Sequence, residues 1–205
     1  VRVTLRGAHE TATDEILAAV GPVVGKPLLA VSADDVRARV ERLGWVRAAA
    51  VTRLYPDTLH ISIRERAPAA VWQEDYALNL IDETGAIIRR VNDSEYLNLP
   101  LIVGAGAPEA AAGVLAALGR HDDLEYMTYA LVRVGGRRWN MRLRNGVEVR
   151  LPATGFEGAI DAIALMQAAH RALDQPIEYI DLRDPERMIV KKRGAPATIG
   201  PSGSF

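Results

Sequence analysis

Within about the first 65 residues, the spacing of apolar side chains changes twice. Apolar residues recur at every second position in 1–5, at helical spacing in 16–20 and 36–43, and at every second position again in 59–63. A period of two predicts a strand with one buried face, and a period near 3.6 predicts a helix. With a further strand predicted over 46–54, the order is strand, helix, helix, strand, strand. This order predicts a small α+β domain over residues 1–66, with two helices packed on one face of a three-stranded sheet.

A second domain is predicted to begin at Ala67-Pro68, because proline cannot donate to a strand ladder and forces the preceding residue toward extended geometry. Strands are predicted over 69–73, 78–81, 86–90, 131–134, 139–143, 147–151, 178–182 and 188–192, and helices over 108–118 and 157–173. Asn145-Gly146 is a strong hairpin signal, so the strands around it are predicted to be antiparallel neighbours. Residues 67–193 are therefore predicted to form a mostly antiparallel β domain with helices. Residues 194–205, rich in turn formers, are predicted to form a flexible C-terminal tail.

Composition excludes several classes of function. The net charge is -1, which gives no overall attraction to nucleic acid or to an anionic membrane. The chain has no cysteine, which excludes disulfides and thiolate metal sites. Its longest apolar runs are far shorter than the roughly 20 residues of a membrane-spanning helix. The abrupt, strand-like start without a methionine or signal peptide is interpreted as the start of a fragment of a longer protein.

The residue types that carry catalysis or bind cofactors do not cluster. The four histidines lie far apart and show no metal-binding spacing. Asp122-Asp123, beside His121, is interpreted as a helix end with loose carboxylates in preference to a metal site. The glycines of 103–109 precede a helix, as in a phosphate loop, but no Lys-Ser or Lys-Thr pair follows them. We therefore predict no catalytic residue, no cofactor and no metal, and a protein that is not an enzyme.

Tryptophan is the remaining candidate for ligand contact. Trp45, Trp72 and Trp139 could form a stacking platform for single-stranded nucleic acid. Aromatic residues make up only 5% of the chain, and we expect no cluster of basic residues around these three. Packing in the core is the favoured interpretation. No nucleic-acid partner is predicted.

Six segments carry a resemblance to a known family, in the family's order and spacing. They are GWV at 44–46, YPDTLHISIRERAPAAVW at 55–72, LIDETGAII at 80–88, LNLPLIVG at 97–104, RRWNMRLRNGVEVRLP at 137–152 and YIDLR at 179–183. Together, over residues 1 to about 193, they resemble the FtsQ/DivIB cell division proteins. The first domain resembles the POTRA domain of that family, with its β-α-α-β-β order.

This resemblance implies a single-pass protein of the inner membrane. Its periplasmic part consists of a POTRA domain and a β domain, and it is concentrated at the division septum. A cytoplasmic tail and a membrane anchor are expected in the full-length protein, outside this chain. The implied function is that of a non-enzymatic divisome scaffold that docks FtsB and FtsL and links early to late division proteins. FtsK, FtsW and FtsI are further implied partners.

The resemblance also implies a partner-binding edge after the YIDLR motif, where FtsB pairs as an added strand. The candidate residues are Arg183, Asp184, Glu186, Arg187, Met188, Ile189, Val190, Lys191 and Lys192. Alternation alone predicts a strand with Ile180 and Leu182 buried and with Tyr179, Asp181 and Arg183 outward. Residues 188–192 are predicted to be a free edge that accepts the partner strand.

Side-chain anchors are needed besides backbone pairing, and Arg183 is predicted to pair with a partner carboxylate. Met188 or Val190 is predicted to add apolar contacts. Charged residues on the edge discourage self-association. The chain departs from better-known relatives in having Asp184 where an aromatic residue often follows the arginine, and Lys192 near the position where a tryptophan can end the strand.

The resemblance implies recruitment residues in the POTRA domain, which correspond to Ala48, Val51 and Arg53. The alternative is that Val51 belongs to the core and Arg53 only solvates the sheet edge. The sequence leaves two other functions to consider. A polypeptide-handling module of an outer-membrane assembly or secretion system predicts tandem POTRA units or a following barrel, and neither is predicted. A hydrolase requires a nucleophile and a base, which the sequence does not offer.

Overall fold

The computed structural model describes residues 1–184, 186–194 and 197–201. Its contacts divide the chain into two units, Val1–Ala67 and Pro68–Phe205. The division lies beside Pro68, where the sequence places the domain boundary.

The first unit consists of three strands and two helices in the predicted order. They are β1 (Arg2–Arg6), α1 (Thr13–Val20), α2 (Ala33–Val40), β2 (Val46–Leu54) and β3 (Thr58–Glu65). The sheet order is β1-β3-β2, with β1 parallel and β2 antiparallel to β3. Ile16 of α1 and Val36 of α2 are fully buried with Leu59 and Ile61 of β3 in one core. The predicted α+β architecture of this unit is confirmed.

A carboxylate from β3 ties down the loop that leads into α1. Glu65 accepts hydrogen bonds from the backbone N–H groups of His9, Glu10 and Thr11, and from the Thr11 hydroxyl at 2.6 Å. Burial alone would raise the pKa of Glu65, but the hydrogen bonds from Thr11, Glu10 and His9 outweigh it and lower the pKa to about 2. The folded state therefore favours the ionised carboxylate.

Stability of the first unit is expected to depend on pH through Glu65. Because the folded pKa is depressed, the contribution is present above the unfolded pKa near 4.5 and is lost as the pH falls toward 2. We expect Glu65→Gln to lower the free energy of unfolding by about 1.5 kcal/mol at pH 7 and by little at pH 2.5. Urea unfolding at both pH values measures this difference. Glu10→Gln is the control, because the Glu10 side chain accepts none of these bonds; an equal pH-dependent loss there would contradict the assignment.

The second unit contains ten strands and three α-helices among the residues that are described. They are β4 (Pro68–Glu74), β5 (Ala77–Asp82), β6 (Ile87–Val91), β7 (Leu101–Val103), α3 (Ala107–Leu118), α4 (Asp122–Met127), β8 (Thr128–Val134), β9 (Arg138–Leu143), β10 (Glu148–Arg150), α5 (Phe156–His170), β11 (Ile177–Asp184), β12 (Arg187–Lys192) and β13 (Ala197–Pro201). The sheet order is β13-β12-β11-β10-β9-β8-β7-β4-β5-β6.

Most neighbouring strands of this sheet are antiparallel, as predicted. β9 and β10 pair as antiparallel neighbours around the Asn145-Gly146 turn, and β8 pairs antiparallel with β9. Two of the parallel strand pairs account for the positions of the helices along the chain. The chain passes from β7 to β8 through α3 and α4, and from β10 to β11 through α5, because parallel strands need long crossover connections. Val114 of α3 and Ile163 of α5 are fully buried in the same core as Met141 of β9.

The tryptophans of the second unit belong to its core. Trp72 and Trp139 are buried there, which confirms the packing interpretation for these two. Within the predicted C-terminal tail, residues 197–201 form β13, which pairs with β12. Residues 195, 196 and 202–205 of that predicted tail lie outside the described residues.

Candidate partner-binding site

The predicted partner-binding residues lie on β11, on β12 and in the turn between them. The Asp184 carboxylate accepts a hydrogen bond from the Glu186 N–H at 3.0 Å, and Asp184 pairs with Arg187 across the two strands. This local bond holds the turn, since aspartate readily bonds the backbone two residues on. Pro185 lies outside the described residues.

β12 presents its side chains alternately to the core and to the opposite face of the sheet. Met188 is 4% exposed and belongs to the core, and Val190 is half-buried against it. The prediction that Met188 supplies an apolar contact to a partner is therefore wrong, because its side chain is already packed. Ile189, one residue along, is half-buried and lies beside a surface cleft.

Asp181 is buried, contrary to the prediction that it faces outward. Arg183 binds it in a two-pronged geometry, with Nε 2.8 Å from Oδ1 and Nη2 2.6 Å from Oδ2. Burial would raise the pKa of Asp181, but the bonds and charge of Arg183 and the charge of Arg150 lower it. The carboxylate is thus ionised in the fold, and much of the Arg183 guanidinium is committed to it.

A ladder of charged side chains continues from Asp181 across the neighbouring strand. Arg150 of β10 lies 3.8 Å from Asp181 and 2.8 Å from Glu148, and its guanidinium stacks over the Tyr179 ring at 4.1 Å from the centroid. Stacking and ion pairing together fix Arg150, because a planar guanidinium satisfies both contacts at once.

A surface cleft of about 300 Å³ lies where β9, β11 and β12 present their arginines. It is lined by Arg138, Asp181, Arg183, Asp184, Arg187 and Ile189. Three guanidinium groups thus face two carboxylates, so the lining carries a net positive charge. Among the described residues, Arg138 and Arg187 have no ion-pair partner, which leaves them available to a carboxylate from another molecule.

The edge beyond β12 is not free, which corrects the prediction made for residues 188–192. β13 pairs antiparallel with β12 along the register from Arg187↔Pro201 to Lys191↔Ala197. Lys191 is also engaged through its side chain, with Nζ 2.9 Å from Glu178. Lys192 is exposed at the end of the strand.

The predicted recruitment residues lie together on β2, an edge strand of the first sheet. Ala48 follows a register shift, and Val51 is half-buried against the first core. Arg53 does more than solvate the edge: its Nε and Nη2 donate to the Val31 carbonyl at 3.0 and 2.5 Å. Arg53 therefore fastens the segment before α2 to the edge of the sheet.

The described residues contain no group of three or more histidine and carboxylate side chains placed to hold a metal ion. His121 instead contacts Asp161 at 2.7 Å, and Arg120 contacts the same carboxylate at 2.9 Å. Within the described part of the chain, no helix has the length and hydrophobicity needed to cross a membrane.

Sequence reasoning missed Arg138 and Arg150 as neighbours of Arg183. Arg150 reaches Asp181 through the parallel pairing of β10 with β11, and Arg138 reaches the cleft from β9. The arginines of RRWNMRLRNGVEVRLP are visible in the sequence, but the long-range pairing that gathers them is not. The signal available was the group of arginines at 137, 138, 142 and 144, which corrects the expectation that basic residues do not cluster around Trp139.

Comparison with known proteins assigns both units. Residues 2–66 match the profile described as "POTRA domain, FtsQ-type", and residues 70–183 match "Cell division protein FtsQ/DivIB, C-terminal". The molecule is thus of the class in which a POTRA domain precedes a division-type β domain. The chain belongs to the FtsQ/DivIB family of cell division proteins, which confirms the resemblance seen in the sequence.

Several curated relatives are named cell division protein FtsQ. That of Caulobacter vibrioides strain NA1000 is 40% identical over 193 residues, covering 94% of this chain and 64% of its own length. That of Bradyrhizobium diazoefficiens is 36% identical over 190 residues, covering 92% of this chain and 55% of its own length. The chain therefore spans less than two thirds of either relative. The extracytoplasmic domain of the trans isomer of DivIB from Geobacillus stearothermophilus matches with 16% identity and a TM-score of 0.41, covering 53% of this chain and 97% of that one.

Proposed function

We propose that this chain is the periplasmic part of a non-enzymatic divisome scaffold that binds FtsB, and FtsL through it, at β12. The observation that carries the proposal is the positively charged cleft beside β12, in which Arg138 and Arg187 have no ion-pair partner among the described residues. In this role the full-length protein is a single-pass inner-membrane protein at the division septum. It links early to late division proteins, with FtsK, FtsW and FtsI as further partners.

Backbone pairing with a partner strand is not enough to hold the complex. About five net hydrogen bonds at roughly 1 kcal/mol each fall short of the roughly 8 kcal/mol of a micromolar complex. The cleft supplies the missing contacts. A partner carboxylate can bind the guanidinium of Arg187, which has no ion-pair partner among the described residues, while an apolar partner side chain covers Ile189. Charge-assisted bonds of this kind are about twice as strong as neutral ones.

Charge reversal at the cleft tests the proposal. We expect Arg187→Glu to weaken binding of the purified periplasmic domain of FtsB at least tenfold, or about 1.4 kcal/mol, because it replaces attraction for a partner carboxylate by repulsion. Isothermal titration of the 205-residue chain measures the affinity.

Arg142→Glu is the matched control. Arg142 is an exposed arginine of β9, and its Nε lies 3.7 Å from a Glu148 carboxylate oxygen. It does not line the cleft. Equal weakening by both variants would show a general charge effect, and no change with Arg187→Glu would contradict docking at the cleft.

We further propose that Ala48, Val51 and Arg53 take part in recruitment to the septum. Arg53→Glu in the full-length protein is expected to reduce septal localisation several-fold. Loss of its bonds to Val31 is also expected to cost about 1–2 kcal/mol of stability. Fluorescence microscopy at matched expression measures localisation, with the exposed neighbour Thr52→Glu as the control. Normal localisation of Arg53→Glu would remove this assignment.

A further inference from the structure

The proposed docking edge already carries a strand from the same chain. β13 runs antiparallel to β12, and its register places Ile199 opposite Ile189 and Gly200 opposite Met188. The backbone position that an added partner strand would take on β12 is therefore the one that β13 occupies. A partner strand and β13 cannot pair with the same edge of β12 at once, because each backbone N–H and C=O of that edge serves one neighbouring strand.

The two strands differ in how firmly they are held. β12 is anchored on both faces of the sheet, since Met188 is buried in the core and Lys191 bonds Glu178. β13 ends in Gly200 and Pro201. Glycine weakens a strand, and proline has no N–H to donate. Removal of β13 thus leaves β12 in place as a preformed template.

We infer that β13 is an intrachain occupant of the docking edge and that the partner strand binds by exchange with it. This inference rests on the proposed function. While β13 is docked, the edge is also protected from pairing with other copies of the chain, which is the usual hazard of an exposed edge strand. The partner's apparent affinity equals its affinity for the free edge multiplied by the fraction of molecules in which β13 is released.

Two variants of the 205-residue chain move this equilibrium in opposite directions. Thr198→Pro/Ile199→Pro releases β13, because N–H groups of successive strand residues point to opposite edges and one proline must therefore remove a donor that faces β12. Val190→Cys/Thr198→Cys locks β13, because these positions are opposite each other and the chain contains no other cysteine. The same locked protein after reduction is its own control.

The probe is the purified periplasmic domain of FtsB, titrated against each form. We expect the proline variant to bind about tenfold more tightly than the unaltered chain. This factor corresponds to an unaltered chain in which β13 is released in about one molecule in ten. The oxidised cysteine variant is expected to bind at least tenfold more weakly than the same protein after reduction. Mass spectrometry verifies the disulfide.

The outcomes separate this inference from the proposed function. Equal affinity of the unaltered, released and locked forms would overturn strand exchange and leave docking of FtsB standing, for example on the outer side of β13. Failure of the two cysteines to join on mild oxidation would overturn the pairing, and with it the exchange. No binding by any form, including the released one, would overturn the proposed function itself.

Discussion

Replacement of Gly85 by alanine is expected to lower the free energy of unfolding of the second unit by about 3 kcal/mol or more. Gly85 has φ +83°, and a Cβ placed on it would lie 2.0 Å from the carbonyl oxygen of Pro108. The obstacle is backbone at the start of α3, which cannot rotate away as a side chain can. Either the turn between β5 and β6 or the start of α3 must therefore shift.

Gly135→Ala is the matched control in the same unit. Gly135 also has a positive φ, +59°, but a Cβ there meets nothing within 4 Å. It is expected to cost about 1–2 kcal/mol, the conformational penalty alone. Urea unfolding of both variants separates the two contributions. An equal loss at the two positions would show that contact with α3 is not what requires glycine at 85.

The second large effect is expected at Arg183, which serves both the fold and the cleft. Arg183→Ala leaves the buried Asp181 carboxylate with the backbone N–H of residue 183, at 3.1 Å, and with Arg150, 3.8 Å away. We expect a loss of about 2 kcal/mol in stability, because an ionised group is left poorly paired. FtsB affinity is expected to fall at least tenfold, since Arg183 lines the cleft and also fixes Asp181, another residue of its lining.

A double variant distinguishes these roles. Asp181→Asn/Arg183→Ala removes the unpaired charge, so it is expected to recover most of the lost stability while FtsB binding stays weak. Denaturant unfolding and isothermal titration on the same preparations provide the two measurements. Recovery of affinity together with stability would show that Arg183 acts on the partner only by holding Asp181, and would remove it as a contact residue.

Local patterns were sufficient for much of this molecule. Apolar spacing gave the strand and helix order of the first unit, because each element there buries one regular face in a single core. The Asn145-Gly146 turn correctly indicated antiparallel neighbours, since a tight hairpin fixes its own pairing. The six family segments predicted the class of protein that the profile matches then confirmed.

The cleft could not be predicted from local sequence patterns and was recognised only in the tertiary structure. Alternation places Asp181 on the face of the sheet opposite the helices. The sequence therefore predicts that its side chain is exposed to solvent. Arg183 and Arg150 cover that face, and Arg150 comes from a strand about 30 residues earlier that pairs in parallel. Burial of a charge depends on such pairing, because the carboxylate is tolerated only where guanidinium groups surround it.

The sequence by itself determined the order of elements in the first unit, the class of protein and the strands predicted at 178–182 and 188–192. Which strand lies at the edge was decided only by the tertiary structure. Residues 197–201 contain glycine and proline, so local propensity favours a turn, and their pairing with β12 depends on a neighbour that propensity does not include. An edge is defined by what is absent beside a strand, and that is a property of the assembled sheet.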